Sequence, residues 1–329
     1  MALPRIAIAL GDPSGIGPEI ALKAAFDPQV TAVCRPLLVG DRIALDVHAK
    51  ALGLTPQFHA VTKAEDASWL NGTVALLERD NYKPGEFALG QVGAVHGRAA
   101  LDAARTAIEA AMSGAVEAVV AAPQTEKSIA LAGVHFDGYP TFVARCAGVD
   151  PNDAYLMICF GDTRIVHTTL HVSLRRALDL ITRERVRHVI ESADSALRRL
   201  GVSASPRIAV SGLNPHAGED RLFGDEDQDI IAPAIAEASA AGIRVEGPFG
   251  CDTMFGRKGY DAYVVMVHDQ GHIAAKLQAP NRTAGLTIGT PILFSSVAHG
   301  SAHDIAGQGK ANHQAMVEAV RRLAGVART

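Results

Sequence analysis

The chain has 329 residues, 48% hydrophobic and 20% charged, with a formal net charge of −4 and a mean hydropathy of +0.13. A chain of this size buries roughly 75% of its unfolded surface, enough for two globular domains, and dispersed Lys and Arg on an acidic chain exclude nucleic acid or an anionic membrane as the main partner. No apolar run approaches the roughly 20 residues of a membrane span, and RIAIAL near the N-terminus breaks into GDPSG; neither a membrane segment nor a signal-peptide core is expected, and the expected address is the cytoplasm.

Short β-branched apolar runs alternate with longer Ala-rich segments of helical period, the pattern of an α/β protein with a largely parallel sheet. In chain order the spacing predicts a strand at 5–10, a helix at 18–25, a strand at 36–40 and helices at 42–51 and 97–112. Strands follow at 116–122, 155–160 and 164–169, then a helix at 183–200, a strand at 207–211 and a helix at 231–241. Strands at 243–247 and 261–267 and a last helix near 313–323 complete the reading. In 183–200, Val186, Val189, Ile190, Ala193, Ala196, Leu197 and Leu200 recur at three- and four-residue steps, giving one buried face of scaffold. The four cysteines, Cys34, Cys146, Cys159 and Cys251, form no C-x-x-C pair and lie among apolar residues, as reduced structural thiols do.

Chemistry concentrates at element ends. The first predicted strand runs into Gly11-Asp12-Pro13-Ser14-Gly15-Ile16-Gly17-Pro18-Glu19, a tight strand-to-helix loop that exposes Asp12 where α/β proteins place ligands. Its G-x-x-x-G-x-G spacing is not the dinucleotide fingerprint. Among thirteen histidines, His171, His216 and His268 stand at strand ends beside polar residues. Three neutral imidazoles with an open fourth position describe a catalytic divalent-metal site, zinc being favoured by nitrogen ligands and manganese or magnesium being the alternatives. Spacing alone leaves open the ordinary role of a hydrogen-bonded structural histidine. His167, inside an apolar strand, is the weaker ligand candidate. Lys276, set among Ala274, Ala275 and Leu277, is a candidate proton donor or anion clamp. In His299-Gly300-Ser301-Ala302-His303-Asp304, small residues let backbone approach a flat ligand, and Asp304 suits a ribose diol while repelling a 2′-phosphate. Gly307-Gln308-Gly309-Lys310 resembles the end of a P-loop, but Ala311 replaces the magnesium-holding hydroxyl, so nucleotide hydrolysis is set aside.

GDPSGIGPE, Pro123 with Lys127, LNPHAGE, HDQG followed by Lys276, and HGSAHDIAGQGKAN together resemble, from end to end, the 4-hydroxythreonine-4-phosphate dehydrogenase family of vitamin B6 synthesis. The resemblance implies the isocitrate/isopropylmalate dehydrogenase-like fold, two α/β domains with a cleft between them. The expected division is 1–140 plus 296–329 for the domain with the cofactor loop and 141–295 for the domain with the metal ligands and dimer interface. The resemblance further implies His171, His216 and His268 as metal ligands, a homodimer sharing its metal sites, and NAD held by His299, Gly300, Ser301, Ala302, Asp304 and Asn214.

Departures from the family pattern bear on the substrate. Where phosphate-substrate members carry Gly-His-Thr-Glu, this chain has Gly138-Tyr139-Pro140-Thr141, and an Asn and an Arg that complete the phosphate grip align with Gly285 and Phe294. Each lost charge-assisted bond is worth about 1.5–3 kcal/mol, so a substrate without phosphate is expected, with Tyr139, Pro140 and Phe294 flattening the pocket for a ring. Gly138-Tyr139-Pro140, Leu222-Phe223-Gly224, His268 to Ile273 and Ala279-Pro280-Asn281 look like the terephthalate cis-dihydrodiol dehydrogenase branch. That branch implies oxidative decarboxylation of 1,2-dihydroxy-3,5-cyclohexadiene-1,4-dicarboxylate to protocatechuate with NAD and a divalent metal. On this reading Lys276 and Asp252 carry proton transfer and substrate clamping, His272 lines the substrate, and Lys127, Arg145, His272 and Arg282 are candidate carboxylate partners. The alternatives are the phosphate-substrate dehydrogenase of pyridoxal phosphate synthesis and a non-catalytic nucleotide-binding protein on the same fold.

Overall fold

The structure, a computed structural model, describes residues 3–70, 72–279, 283–297 and 299–325. They form two compact units, one of residues up to Gly148 together with those from Pro291, the other Val149–Thr290.

The first unit opens with β1 (Arg5–Ala9), α1 (Gly17–Phe26), α2 (Pro28–Thr31), β2 (Arg35–Asp41) and α3 (Arg42–Ala51). It continues through β3 (Gln57–Val61), β4 (Thr73–Arg79), α4 (Ala94–Met112), β5 (Ala118–Ala121), α5 (Glu126–Leu131) and α6 (Tyr139–Ala147). The second unit contains β6 (Tyr155–Phe160), β7 (Thr163–His167), α7 (Leu174–Leu180), α8 (Arg183–Arg199), β8 (Arg207–Ser211) and α9 (Ala232–Ala240). It closes with β9 (Arg244–Phe249), α10 (Cys251–Met254), β10 (Ala262–Val265), α11 (His268–Gln278) and β11 (Ala284–Ile288). The chain returns to the first unit with β12 (Leu293–Val297) and α12 (Gln314–Leu323).

In the first unit the strands lie in the order β3-β4-β2-β1-β5-β12, all neighbours parallel. Ile6, Ala7, Ile8 and Ala9 of β1 are wholly buried, as a central parallel strand covered on both faces requires. Ala103, Ala104 and Ala107 of α4 join Leu37, Val39 and Val119 of the sheet in one core; their short side chains let that helix lie close to the strands. In the second unit the order is β11-β6-β7-β10-β8-β9. Here β11/β6 and β6/β7 are antiparallel, because Gly161 and Asp162 close a two-residue hairpin between Phe160 and Thr163, with Gly161 at φ 48°. The remaining pairs are parallel, and the apolar stripe of α8 is buried as its period requires.

Several elements differ from the sequence expectation. The strands β3, β4, β11 and β12 and the helices α2, α5, α6, α7, α10 and α11 were not expected. β3 is an edge strand without a buried face, so it carries no clear alternation. α6 and α11 begin at Gly-Tyr-Pro and His-Asp-Gln-Gly, whose Gly and Pro read locally as turns. They are helical because Pro140 sits at a permitted first-turn position and because Gln270 caps α11 by accepting from Met266 N at 2.8 Å and Val267 N at 3.1 Å.

Candidate active site

In the second unit, β7 delivers His167, the bend after it carries His171, and the first turn of α11 carries His268 and His272. Positions i and i+4 share a helix face, and the rings of His268 and His272 stack 3.7 Å apart at 11°. His171 lies beyond, with its ring centroid 5.6 Å from that of His268. On the other side His167 Nε2 and His272 Nδ1 are 3.1 Å apart. This close approach requires Gly271: a Cβ there would stand 2.4 Å from His167 Nε2.

Hydrogen bonding assigns the tautomers. His167 Nδ1 faces only the Leu156 carbonyl, at 3.3 Å, so Nδ1 carries the proton and Nε2 is an acceptor. His272 Nδ1 then donates to it, leaving His272 Nε2 with its lone pair. His268 Nδ1 donates to Asp269 Oδ1 at 2.6 Å, which frees its Nε2 in the same way. Burial drives His167 down to about 3 and, with His268 next to it, His272 down to about 4, so both rings are neutral near pH 7. Every residue of HDQG thus contributes: His268 a free ring nitrogen, Asp269 the carboxylate that orients it, Gln270 a helix cap whose Nε2 also donates to Gly212 O at 3.1 Å, and Gly271 the space that admits His167.

These groups suit a divalent cation in part. Two imidazoles bound tetrahedrally at Zn–N distances near 2.1 Å place their centroids about 5.3 Å apart, close to the 5.6 Å between His171 and His268. Among the described residues, no group of three or more His, Cys, Asp or Glu side chains is gathered closely enough to hold an ion. A pocket of about 520 Å³ adjoins the pair, lined by Thr169, Leu170, His171, Leu174, Val267 and His268 among others.

His216 is exposed in a different loop. His216, Ala217, Glu219, Asp220 and Arg221 all have positive φ, as does Gly218 between them, a left-handed run costing on the order of 1 kcal/mol per non-glycine residue. Buried Asp227 holds the loop by accepting from Leu213 N at 2.8 Å and Asn214 N at 3.1 Å, and Arg221 pairs with Asp225 and Asp229. Asn214 donates its amide to Glu226 at 2.7 Å. Asp252 is exposed at the start of α10, and its Oδ1 and the Cα of His216 lie on the same side of Gly250, 2.9 and 3.5 Å from where a Cβ there would stand.

Lys276 is exposed on α11, beside Ile273 and Leu277, which are exposed as well. Lys127 is also exposed, and Arg282, Pro280 and Asn281 lie outside the described residues. Gly285 sits in β11 opposite Ile158.

The first unit holds the second centre. Asp12 is wholly buried, not exposed as expected, because it anchors its own loop and a distant one. It accepts from Ser14 N at 3.0 Å and Ser128 Oγ at 3.3 Å and lies 3.3 Å from His303 Nε2. Ser301 is buried, its carbonyl accepting from Ile16 N at 2.8 Å and its hydroxyl 2.8 Å from Thr125 Oγ1. A Cβ on Gly15 would stand 2.5 Å from Ser301 O. Farther on, buried Glu19 accepts from Ala311 N at 2.8 Å and Lys23 Nζ at 2.7 Å, while Lys23 also donates to Gly309 O and Ala311 O. The GDPSGIGPE segment is thus the socket of the 301–311 segment. Between the anchors His299, Gly300 and the Asp304 carboxylate are exposed, and Ala302 takes a left-handed turn at φ 40°.

At the start of α6, Gly138 has φ 112°, and the Tyr139 hydroxyl donates to Ala122 O at 3.1 Å. Phe294 is a core residue, buried with its ring 4.9 Å from that of Tyr139, so it lines no surface itself and acts only by supporting that ring. Asp137 takes up the hydroxyl of Thr141 and, at 3.0 Å, the guanidinium of Arg145. Against burial, which would raise it, these donors hold the Asp137 carboxyl below its usual range.

Comparison with known proteins places this geometry. A family model described as pyridoxal phosphate biosynthetic protein PdxA matches residues 32–323. A putative D-threonate 4-phosphate dehydrogenase of Symbiobacterium thermophilum is 40% identical over 97% of this chain and 95% of its own length. A 1,2-dihydroxy-3,5-cyclohexadiene-1,4-dicarboxylate dehydrogenase of Comamonas sp. is 38% identical over 97% and 96%. The crystal structure of a terephthalate 1,2-cis-dihydrodiol dehydrogenase from Burkholderia xenovorans LB400 superposes with a TM-score of 0.76 at 37% identity, covering 98% of each chain.

Proposed function

From the premise that the chain belongs to the PdxA family and is an oxidoreductase of the dehydrogenase class, we propose that it oxidises and decarboxylates a cis-dihydrodiol carboxylate with NAD and a divalent metal. The substrate that fits best is 1,2-dihydroxy-3,5-cyclohexadiene-1,4-dicarboxylate, the one in the name of the Comamonas relative. The observation that carries this choice is the start of α6. The Thr141 hydroxyl there, and the Arg145 guanidinium of the last turn, are already bound by Asp137, and Pro140 removes a backbone N–H from the first turn. A helix start so occupied is a poor phosphate cradle, and it offers the Tyr139 ring instead.

When bound, the metal acidifies the diol hydroxyl and NAD accepts the hydride. His171 and His268 hold the ion through their free nitrogens, and His216 completes the set within a homodimer. Asp269 keeps the His268 proton on Nδ1. Asp304 takes the ribose diol of NAD, with His299, Gly300, Ser301 and Ala302 forming the backbone cradle. Loss of hydride from the H–C–OH carbon gives a ketone β to the ring carboxylate, so that carboxylate leaves as CO2 and tautomerisation yields the catechol. Lys276 and Asp252 exchange protons with the substrate oxygens.

Absorbance of NADH is measured with purified protein, NAD and zinc or manganese on the dihydrodiol, on D-threonate 4-phosphate and on 4-phosphohydroxythreonine. NADH formation with stoichiometric CO2 from the dihydrodiol is the expected result. Turnover of a phosphate ester alone overturns the substrate assignment and leaves the dehydrogenase class standing.

A further inference from the structure

His272 takes no part in the chemistry proposed above, yet its ring is held with care. Its Nδ1 faces two groups, His167 Nε2 at 3.1 Å and the carbonyl oxygen of His268 at 3.3 Å. A carbonyl oxygen can only accept, so the proton sits on Nδ1 and Nε2 keeps its lone pair. That outer nitrogen has no hydrogen-bond partner among the described residues, and His272 is partly open to solvent. The ring on which it stacks, His268, lines the pocket of about 520 Å³ together with His171.

Nε2 of His272 has the chemistry of a metal ligand but not the geometry. A ring nitrogen's lone pair lies in the plane of its ring, and the rings of His268 and His272 are stacked 3.7 Å apart with their planes 11° from parallel. Lone pairs in two such planes do not converge on one ion, whereas rings sharing a tetrahedral ion stand about 5.3 Å apart. An ion on His268 Nε2 therefore leaves His272 unligated, one ring thickness from the ligand. We propose that His272 is a specificity-determining residue that reads a substrate hydroxyl: its Nε2 accepts the hydrogen bond of an alcohol bound beside His268. With its one proton committed inward, the ring offers an incoming group only a lone pair. It therefore favours a hydroxyl and disfavours a carboxylate, and is no partner for the acid groups of the substrate. The inference rests on the dehydrogenase reading above but not on one substrate, since dihydrodiols and threonates alike carry the H–C–OH group that such an enzyme oxidises.

The test uses His272→Asn, whose amide reaches only the inner position and can still donate to His167, and His272→Gln, whose longer side chain brings a carbonyl acceptor to the outer one. Two readouts need no turnover. Zinc affinity is measured by chelator competition, and the dissociation constants of protocatechuate and benzoate, acids that differ only in their hydroxyls, are measured on the zinc-loaded protein by calorimetry. For His272→Asn the expected results are a zinc affinity within threefold of wild type, a protocatechuate constant raised about tenfold, the scale of one hydrogen bond, and an unchanged benzoate constant. His272→Gln is expected to hold protocatechuate within threefold of wild type. An unchanged protocatechuate constant in His272→Asn, or equal losses in the two variants, overturns the inference. So does a fall in zinc affinity of about a hundredfold, which makes the ring a ligand. If the wild-type enzyme turns over a phosphate ester and not the dihydrodiol, the substrate assignment falls, and the KM for that ester takes the place of the protocatechuate constant. A rise of about tenfold in His272→Asn then supports the hydroxyl contact, and an unchanged value overturns it.

Discussion

The histidine centre of the second unit and the loop socket of the first are built on opposite electrostatic plans. Around His268 the ring partners are imidazoles, and the carboxylate that touches it, on Asp269, is largely exposed. Around Ser301 the organising groups are the buried carboxylates Asp12 and Glu19, which bind backbone N–H groups and side-chain donors. Ring nitrogens left with a lone pair, as Nε2 of His268 and of His272 are, have the chemistry of cation ligands. Buried carboxylates that gather backbone and side-chain donors are an internal adhesive that shapes backbone. The molecule thus keeps the groups that supply chemistry apart from the groups that hold form.

Substituting members of each centre sharpens that contrast. His268→Ala and His171→Ala are expected to abolish metal retention, read by elemental analysis after dialysis, and to lower turnover by at least about a hundredfold, more than the loss of an outer partner causes. A His268→Ala protein with full metal content breaks the assignment. Asp269→Asn removes the acceptor that fixes the His268 tautomer, and metal affinity measured by chelator competition is expected to fall about 10- to 100-fold with the fold intact.

In the other centre, Gly15→Ala drives a methyl into Ser301 O. The expected result is a loss of about 1–3 kcal/mol of stability and a higher KM for NAD, with metal content unchanged.

The smallest effect concerns pH. His48 is buried with both ring nitrogens unpartnered, 3.8 Å from Glu19 Oε2, and burial lowers its pKa in spite of the opposing pull of Glu19. The unfolded chain therefore binds more protons at this position, so its contribution is fully present above the ordinary histidine value near 6.5 and is lost as the pH falls toward the folded value. The unfolding free energy of the wild type, measured by denaturant titration, is expected to drop more steeply than that of His48→Leu between pH 7.5 and 5.5, by at most about 1.4 kcal/mol per pH unit. Parallel curves refute this.

Much of the frame was legible in the residues. The strands at 155–160 and 207–211 and the helix at 42–51 coincide with β6, β8 and α3, because long apolar or periodic runs leave little choice of conformation. Helix α11 was hidden, since its cap is a side chain folding back on the two residues before it. His171 and His268 were singled out with His216 by their strand-end positions and again by the resemblance; their spacing of 97 residues by itself does not reveal that the two rings meet. Phe294 was expected to flatten the pocket and is instead buried by β12, because exposure is decided by neighbours distant in sequence.

The missing methyl at Gly271 has a consequence for inheritance. Because a methyl there would meet His167 Nε2 at 2.4 Å and Ile165 Cγ2 at 2.8 Å, alanine at 271 requires that both neighbours have given way first. The dependence runs one way: glycine at 271 accommodates a smaller residue at 167, so lineages that drift away from histidine at 167 are the ones in which glycine at 271 comes nearer to being dispensable.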